Sequence, residues 1–215
     1  MNELIFLLQI ATICLGLLGA YKLGSQALVS FVCLCAVLAN LFVLEQISLF
    51  GLSVTAADAF AVGAMIALNM LQEKKGAVSA QKALVISFWG LIFYALVTQL
   101  HLAYLPSIYD TTAPAYQALL QFMPRLTLAS LAAYFLSQKL NIFLYTIMRT
   151  QMHRFLVLRT YATLLISQLA DTILFAFLGL SGLVPNIWTI ILFSYSVKMI
   201  TIALAAPCVA LAKRL

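Results

Sequence analysis

Four charged side chains lie inside long apolar runs of this chain, where an ionised group is costly to bury. They are Asp58, Arg125, Asp171 and Lys198, two acids and two bases. Ionisable residues at membrane depth usually face the interior of a helix bundle, pair with one another and mark a path for a polar solute or an ion. The pattern therefore favours a polar binding site. A purely structural salt bridge, for example between Asp171 and Lys198, is the alternative.

Uncharged polar residues recur beside these charges at helical spacing, so each set shares one helix face. The sets are Thr55, Asp58, Asn69, Gln72 and Glu73; Thr127, Ser130, Tyr134, Gln138 and Asn141; Thr160, Thr163, Ser167 and Asp171; and Ser194, Lys198 and Thr201. On an ideal helix Arg125 points roughly opposite its stripe, and Pro124 favours a kink there, so its direction stays open. Hydroxyl and amide side chains also join helices to one another, which is the alternative role for each of them.

The amino-acid composition indicates which class of protein carries these charged and polar side chains. Of 215 residues, 65% are apolar and 8% are charged, and the mean hydropathy is +1.08. An average soluble domain is roughly half apolar and about a quarter charged, and disordered chains are poor in apolar residues. Both classes are excluded, and we predict an all-α integral membrane protein, a polytopic helical bundle forming a single domain over residues 1–215.

Seven apolar runs are long enough to be spanning helices, which need about 20 residues each. They cover about 4–21, 26–47, 54–72, 83–105, 116–148, 159–181 and 187–211. The fifth is too long for one perpendicular crossing, so it is tilted or continues as an interfacial turn. The first has no basic residue before it, which favours a retained helix over a cleaved signal peptide. The alternation that a barrel requires is absent from the sequence.

The basic residues predict the orientation of the bundle. Ten of the twelve Lys and Arg residues are expected in loops or at the C-terminus: Lys22, Lys74, Lys75, Lys82, Lys139, Arg149, Arg154, Arg159, Lys213 and Arg214. With seven spans all ten fall on one side, and the opposite connections at 46–53, 106–115 and 181–186 have none. Because cytoplasmic loops are enriched in Lys and Arg, we predict an external N-terminus and a cytoplasmic C-terminus. The net charge of +6 then reflects basic loops beside an anionic membrane face rather than a nucleic-acid partner.

Catalytic and cofactor signatures are missing from the sequence. It contains no P-loop, no G-x-S-x-G elbow and no H-E-x-x-H motif. Cys14, Cys33, Cys35 and Cys208 lie in apolar runs without metal or redox spacing, and we interpret them as small apolar residues. His101 and His153 have no second ligand nearby and are expected at polar interfaces, with a proton relay as the alternative for His101. We predict neither an enzyme nor a cofactor or metal site.

Several segments resemble the queuosine-precursor transporter family, also called the vitamin uptake transporter family. They are LNMLQEKKGAVSAQKA (68–83), PRLTLASLAAYFLSQKLNIFLY (124–145), TLLISQLADTILFAFLGLSG (163–182), the stretch from 198 to 207, and Asn40. The similarity covers roughly residues 30–215, and its most specific part is the helix at 163–182. The resemblance implies six common helices over 26–215, with residues 1–25 as an additional N-terminal helix.

The resemblance also implies which residues bind substrate. The family's polar positions fall on Asn40, Glu73, Gly76, Arg125, Ser130, Gln138, Ser167, Gln168, Asp171 and Lys198. Asn69 and Asn141 depart from it, since the family often has Asp at both positions, and a role that needs a carboxylate there is in doubt. The full predicted substrate-binding set is Asp171, Arg125, Lys198, Gln168, Ser167, Gln138, Asp58, Asn69, Glu73, Asn40 and Tyr134.

The implied activity is import of a 7-deazaguanine base for tRNA modification, namely the cyano or aminomethyl precursor of queuosine, or queuine. A carboxylate can accept both N–H groups of a guanine-like edge, and Asp171 is the first candidate for this role and Asp58 the second. Arg125 or Lys198 would keep that carboxylate ionised or bind the carbonyl group. Glutamine side chains donate and accept at once. An aromatic wall for the flat base would come from one of four residues, Trp89, Tyr94, Tyr134 and Tyr195.

Several alternatives stay open at this stage. Transport would be driven by a coupling proton, by intracellular consumption of the base, or by a partner ATPase that uses this chain as its substrate-binding subunit. A structural or assembly protein of the membrane is the second hypothesis, and a membrane enzyme acting on lipid is the third. The expected location is the bacterial inner membrane, with the lipid bilayer and a small-molecule base as partners and with an undetermined oligomeric state.

Overall fold

The computed structural model describes residues 1–43, 45–120, 123–152, 154–181 and 186–213, with side chains except at positions 52, 53, 123–127, 180 and 213. The helices are α1 Asn2–Leu23, α2 Ser25–Phe42, α3 Asp58–Lys75, α4 Ala77–Leu102, α5 Ala113–Leu120, α6 Met123–Gln151, α7 Leu156–Phe175, α8 Ile187–Ala205 and α9 Cys208–Lys213. Two short strands, β1 Gln46–Leu49 and β2 Leu52–Thr55, lie between α2 and α3. His153, Arg214 and positions 182–185, on which sequence predictions were made, lie outside the described residues.

Long apolar helices dominate the described chain, in agreement with an α-helical protein that crosses the membrane several times. Five segments are long and apolar enough to span a bilayer: α1, α2, α4, Leu156–Gly179 and Ile187–Ala212. A helix also lies in the third and fifth predicted runs. These two helices, α3 and α6, carry more charged residues, which shorten their apolar stretches.

Helix α3 forms the centre of the bundle. Every residue from 62 to 72 is buried, so this helix is enclosed on all sides. A Cβ atom at Gly63 would lie 2.9 Å from Cγ2 of Ile13 on α1. Small residues let helix backbones approach closely in a membrane. The Ala- and Gly-rich sequence of α3 therefore packs helices together, with α1 contributing Phe6, Ile10, Ile13 and Leu17 at helical spacing.

The β-hairpin corrects the predicted bounds of the second and third spans. The predicted runs 26–47 and 54–72 extended into it, whereas α2 ends at Phe42 and α3 begins at Asp58. The strands pair antiparallel with Leu49 opposite Leu52, so Phe50 and Gly51 form a two-residue turn. Their φ angles are +53° and +78°, as a type I′ turn requires. Leu49 and Val54 are buried, so the hairpin folds back onto the bundle.

Three further predicted spans are not single regular α-helices. The fifth, predicted at 116–148, is divided into α5 and α6. The sixth ends in a π-helical turn, Ala176–Leu180. The seventh breaks at Ala206 and Pro207 before α9, because a proline ring removes a backbone donor and clashes with the preceding turn.

A single glycine joins α3 to α4. Gly76 has a φ of +85°, and its N–H donates to the carbonyl of Gln72 at 2.8 Å. This left-handed conformation closes the helix and favours glycine over other residues. It directs α4 back along the bundle immediately after the basic end of α3.

Eight of the ten basic residues expected in loops or at the C-terminus lie within helices: Lys22, Lys74, Lys75, Lys82, Lys139, Arg149, Arg159 and Lys213. Lys139 and Arg159 differ most from the expectation, the first by its place in the helix and the second by its burial. Lys139 is in the interior of α6, exposed on its surface, with Nζ 4.6 Å from the centre of the Phe135 ring. Arg159 is in the first turn of α7 and is only 1% exposed. The loop assignment was wrong for both. A Lys side chain can extend along a helix surface, and Arg159 has a buried acidic partner.

Candidate functional site

One lysine connects two carboxylates inside the bundle. Lys198 on α8 places Nζ 2.8 Å from Oδ2 of Asp171 on α7, and 3.7 Å from Oδ1 of Asp58 on α3. The three side chains are 5%, 15% and 6% exposed respectively. The structure thus brings three of the four charges predicted at membrane depth into one group, the charge triad. Arg125 lies in α6, and its side chain is outside the described part of the chain.

Hydroxyl groups complete the bonding of the charge triad. Ser194 Oγ lies 3.0 and 3.1 Å from the two oxygens of Asp58, and Ser137 Oγ donates to Asp171 Oδ1 at 3.0 Å. Lys198 Nζ also donates to Thr172 Oγ1 at 3.1 Å. Buried charges are stable when they are both paired and hydrogen-bonded. Ser137 and Thr172 were absent from the predicted set, although Thr172 follows Asp171 directly and Ser137 precedes Gln138.

A cavity of about 90 Å³ opens onto the triad. Its polar lining is Thr55, Asp58, Asp171, Thr172, Ser194 and Lys198, and its apolar lining is Ala39, Val43, Ala57, Ala61, Phe175, Ala176 and Ile190. These residues come from the end of α2, the hairpin, the start of α3, the end of α7 with the π-helical turn that follows it, and the first two-thirds of α8. The cavity therefore lies toward the end of the bundle whose predicted connections have no basic residues.

The aromatic residue of the cavity was not among the four predicted candidates. It is Phe175, four residues after Asp171 on the same face of α7. Trp89 is 65% exposed on the outer surface. Tyr134 Oη bonds Ser87 Oγ of α4 at 2.9 Å, and Tyr195 Oη donates to the carbonyl of Leu165 at 3.2 Å. Tyr94 is half-buried and does not line this cavity. Helical spacing from Asp171 was the signal that could have identified Phe175.

Glu73 belongs to a second, separate group of charges. Its carboxylate pairs with Arg159 and accepts a hydrogen bond from Tyr145 Oη at 3.2 Å, and Arg149 Nε lies 3.6 Å away. Arg149 also donates to the carbonyls of Gln72 and Glu73 at 2.7 and 3.2 Å. Fifteen residues of helix separate Glu73 from Asp58, roughly 22 Å at 1.5 Å per residue. Glu73 therefore does not share the cavity with the triad, and it ties α3 to α6 and α7.

The two positions that depart from the family pattern contact each other. Asn141 Nδ2 donates to Asn69 Oδ1 at 2.8 Å, and Asn69 Nδ2 donates to Thr163 Oγ1 at 3.4 Å. Both asparagines are fully buried. Two aspartates at this distance would repel each other unless they shared a proton. The paired asparagines thus form a neutral contact between α3, α6 and α7, between the two charged groups.

The remaining predicted residues fall into two kinds. Asn40 donates to the Ala36 carbonyl of its own helix at 3.0 Å, so it makes a local contact in α2. Gln138, Ser167 and Gln168 are 0% exposed, and their side-chain polar atoms have no hydrogen-bond partner within the described residues. His101 packs edge-to-face against Tyr104 and Tyr116 near the end of α4. In the part of the chain that is described, no cluster of His, Cys, Asp and Glu is arranged to hold a metal ion.

Fold and site together define a class of protein. Apolar helices surround buried, mutually paired charges that line a cavity, an arrangement typical of multi-pass membrane proteins that move polar solutes. A family model described as "Putative vitamin uptake transporter" matches residues 55–212, and the chain belongs to this family.

One curated relative matches nearly the whole chain. It is 31% identical over 201 residues, which is 92% of this chain and 86% of the relative, and it is named "Probable queuosine precursor transporter" from Bacillus subtilis (strain 168). The family resemblance found in the sequence is therefore confirmed. No solved structure matches the chain.

Proposed function

We propose that this protein imports a queuosine precursor, a 7-deazaguanine base, across the bacterial cytoplasmic membrane for tRNA modification. The observation that carries the proposal is the charge triad at the cavity, together with membership of a transporter family and the name of the relative. Asp58, Asp171 and Lys198 are the primary substrate-binding residues in this proposal. A structural pairing of the same residues is the competing explanation.

The chemistry of the cavity suits a guanine-like base. Such a base presents an N–H and an amino group along one edge, and a single carboxylate can accept hydrogen bonds from both. The side chain of Asp171 is 15% exposed and lines the cavity, so its carboxylate is the hydrogen-bond acceptor that a ligand in the cavity would reach. Lys198 Nζ donates to Oδ2 of that carboxylate at 2.8 Å and so holds it beside the cavity. Phe175 supplies an aromatic surface for the flat ring.

Transport requires the site to open further. A protein cavity of roughly 150 Å³ accommodates benzene, whereas the cavity beside the triad measures about 90 Å³. A bicyclic base is larger than benzene, so the helices around the cavity must move apart when it binds. The β-hairpin supplies Thr55 to the lining, so it borders the space that has to widen.

The proposal includes seven spans, with the N-terminus outside and the C-terminus in the cytoplasm. Helices α3 and α6 then serve as the third and fifth spans. At 1.5 Å per residue the 18 residues of α3 and the 29 residues of α6 reach about 27 and 43 Å, against a hydrocarbon layer of about 30 Å. In this orientation the triad faces the external half of the membrane and Glu73 lies at the cytoplasmic end. Green fluorescent protein fused to the C-terminus should therefore fluoresce, since it folds in the cytoplasm.

The direct test is uptake in a bacterium that can neither make queuosine precursors nor import them at low dose. Cyano-deazaguanine, aminomethyl-deazaguanine and queuine are supplied separately at nanomolar concentration to hosts able to use each. Queuosine in tRNA is then measured by its retardation in boronate gels. Wild-type protein should restore modification with at least one base, and that base identifies the substrate.

Variants separate binding from assembly in the same assay. Asp171→Asn should lose modification at equal expression, because the amide replaces an acceptor oxygen with a donor. Ser196→Ala is the matched control on α8, since its hydroxyl bonds only the Leu192 carbonyl of its own helix among the described residues. Modification equal to wild type in Asp171→Asn would contradict the proposed site. No modification by wild type with any base, despite membrane insertion, would contradict the proposed function.

A further inference from the structure

Three polar side chains are buried in the middle of the bundle without hydrogen-bond partners. Both amide atoms of Gln138, both amide atoms of Gln168 and the hydroxyl of Ser167 are unpaired within the described residues, and each side chain is 0% exposed. Native proteins rarely leave buried polar groups unpaired, because each one costs stability. Groups retained at such a cost are commonly functional. We call these three residues the amide layer.

The amide layer lies between two bonded networks. On one side Ser137 Oγ donates to Asp171 Oδ1 at 3.0 Å, and on the other Asn141 and Thr163 both bond to Asn69. Helices α6 and α7 run antiparallel. Gln138 on α6 and Ser167 and Gln168 on α7 therefore lie between these two networks.

The layer is also connected to the floor of the cavity. Thr172 Oγ1 donates to the Gln168 carbonyl at 2.8 Å and accepts from Lys198 Nζ at 3.1 Å. The amide layer is therefore one helical turn below the charge triad on α7. A solute that leaves the cavity along α7 toward the opposite end of the bundle meets this layer next.

We propose that Gln138, Ser167 and Gln168 form a second binding station, which receives the base after it leaves the charge triad. This inference rests on the proposed import function. A glutamine amide offers a carbonyl acceptor beside an N–H donor, which matches the adjacent N–H and carbonyl of a guanine-like ring. The second amide and the hydroxyl serve the remaining donors and acceptors of the base. The station thus recognises an uncharged heteroaromatic edge.

The unpaired state of the layer explains why it suits a transit site. A base moving from water into the bundle must replace the hydrogen bonds it had to water. At the triad, binding competes with bonds among Asp58, Asp171, Lys198 and their hydroxyl partners. At the amide layer no such bonds are broken, so the base gains partners at little cost. All three side chains are enclosed, so the station becomes accessible when α6 and α7 separate from the helices around them.

The experiment compares stability with uptake in Gln138→Met and Gln168→Met. Methionine has similar length without the polar amide, so removing an unpaired buried amide should leave the melting temperature in detergent unchanged or raise it. Uptake, measured by tRNA modification with the base that the wild type imports, should fall at least tenfold. Ser167→Ala, the smallest change, should lower uptake severalfold with an unchanged melting temperature.

Gln72→Met is the matched control, because Gln72 is a buried glutamine whose Nε2 donates to Thr146 Oγ1 and to the Ile142 carbonyl at 2.7 and 3.1 Å. Its melting temperature should fall. If the layer variants lose stability as Gln72→Met does, their amides are structural and the proposal is overturned. Wild-type levels of uptake in the layer variants also overturn it, with the import function intact. Absence of uptake by wild type overturns the import function itself.

Discussion

Lys198 Nζ lies 2.8 Å from Asp171 Oδ2 and 3.7 Å from Asp58 Oδ1, so one ammonium serves two carboxylates from different helices. The two carboxylates differ in their nearest hydrogen-bond partner. Asp171 has the short contact with Lys198, whereas Asp58 has closer bonds to Ser194 Oγ at 3.0 and 3.1 Å. The triad therefore holds α3, α7 and α8 together at the same place where the cavity opens.

Removing only the lysine should damage the fold. Lys198→Met leaves the buried carboxylate of Asp58 and the partly exposed carboxylate of Asp171 without their shared cation, which should cost about 3–5 kcal/mol of stability. Adding Asp171→Asn removes one of these charges and should recover part of the loss. Thermal unfolding in detergent measures both effects.

Uptake distinguishes a binding triad from a structural one. The Lys198→Met/Asp171→Asn variant should remain inactive in the tRNA modification assay although its stability partly recovers. Wild-type modification by this double variant would mean that the charges only join helices.

The Glu73 group should control stability rather than substrate binding. Arg159 is 1% exposed and pairs with Glu73, so Arg159→Met should cost about 3–5 kcal/mol by leaving a buried carboxylate short of a partner. Arg149 has a side chain that is 41% exposed, and Arg149→Met should cost only about 1 kcal/mol. Melting curves of the two variants test the difference. Equal losses would show that burial does not set the strength of these pairs.

The asparagine pair should respond to pH once carboxylates replace it. Asn69→Asp/Asn141→Asp places two carboxylates where Asn141 Nδ2 now lies 2.8 Å from Asn69 Oδ1. Repulsion should lower the melting temperature at pH 8, and lowering the pH should restore stability, because one shared proton removes the repulsion. The relevant quantity is the difference from wild type at each pH. A difference that does not change with pH would contradict this geometry.

The hairpin turn contains a residue in an unfavourable conformation. Phe50 has a φ of +53° and is 54% exposed, and asparagine tolerates this left-handed region better than phenylalanine. Phe50→Asn should therefore stabilise the protein by about 0.5–1 kcal/mol. Phe50→Ala is the control, because alanine also removes the ring but does not tolerate the left-handed conformation as asparagine does. A melting temperature for Phe50→Asn no higher than for Phe50→Ala would contradict the argument.

The sequence by itself determined the kind of protein and the family. An apolar fraction of 65% with 8% charge leaves the bilayer as the environment, and a helix lies in each of the seven apolar runs. Asp58, Asp171 and Lys198 could be placed inside the bundle because a charge in hydrocarbon must find a partner. The motif at 163–182 was specific enough to indicate the transporter family.

Only the tertiary structure decided which of these residues meet. The sequence places Asp58 and Glu73 on one face of α3, 15 residues apart, but only the structure gives them different partners. Asp58 contacts Ser194 and Lys198 of α8, whereas Glu73 pairs with Arg149 of α6 and Arg159 of α7. Phe175 lines the cavity in place of the predicted aromatic candidates, and the pairing of Asn69 with Asn141 joins two separate helices. A 3.6-residue period specifies the face that a side chain occupies on its own helix. The depth and identity of the opposing helix depend on packing between helices, which local sequence does not encode.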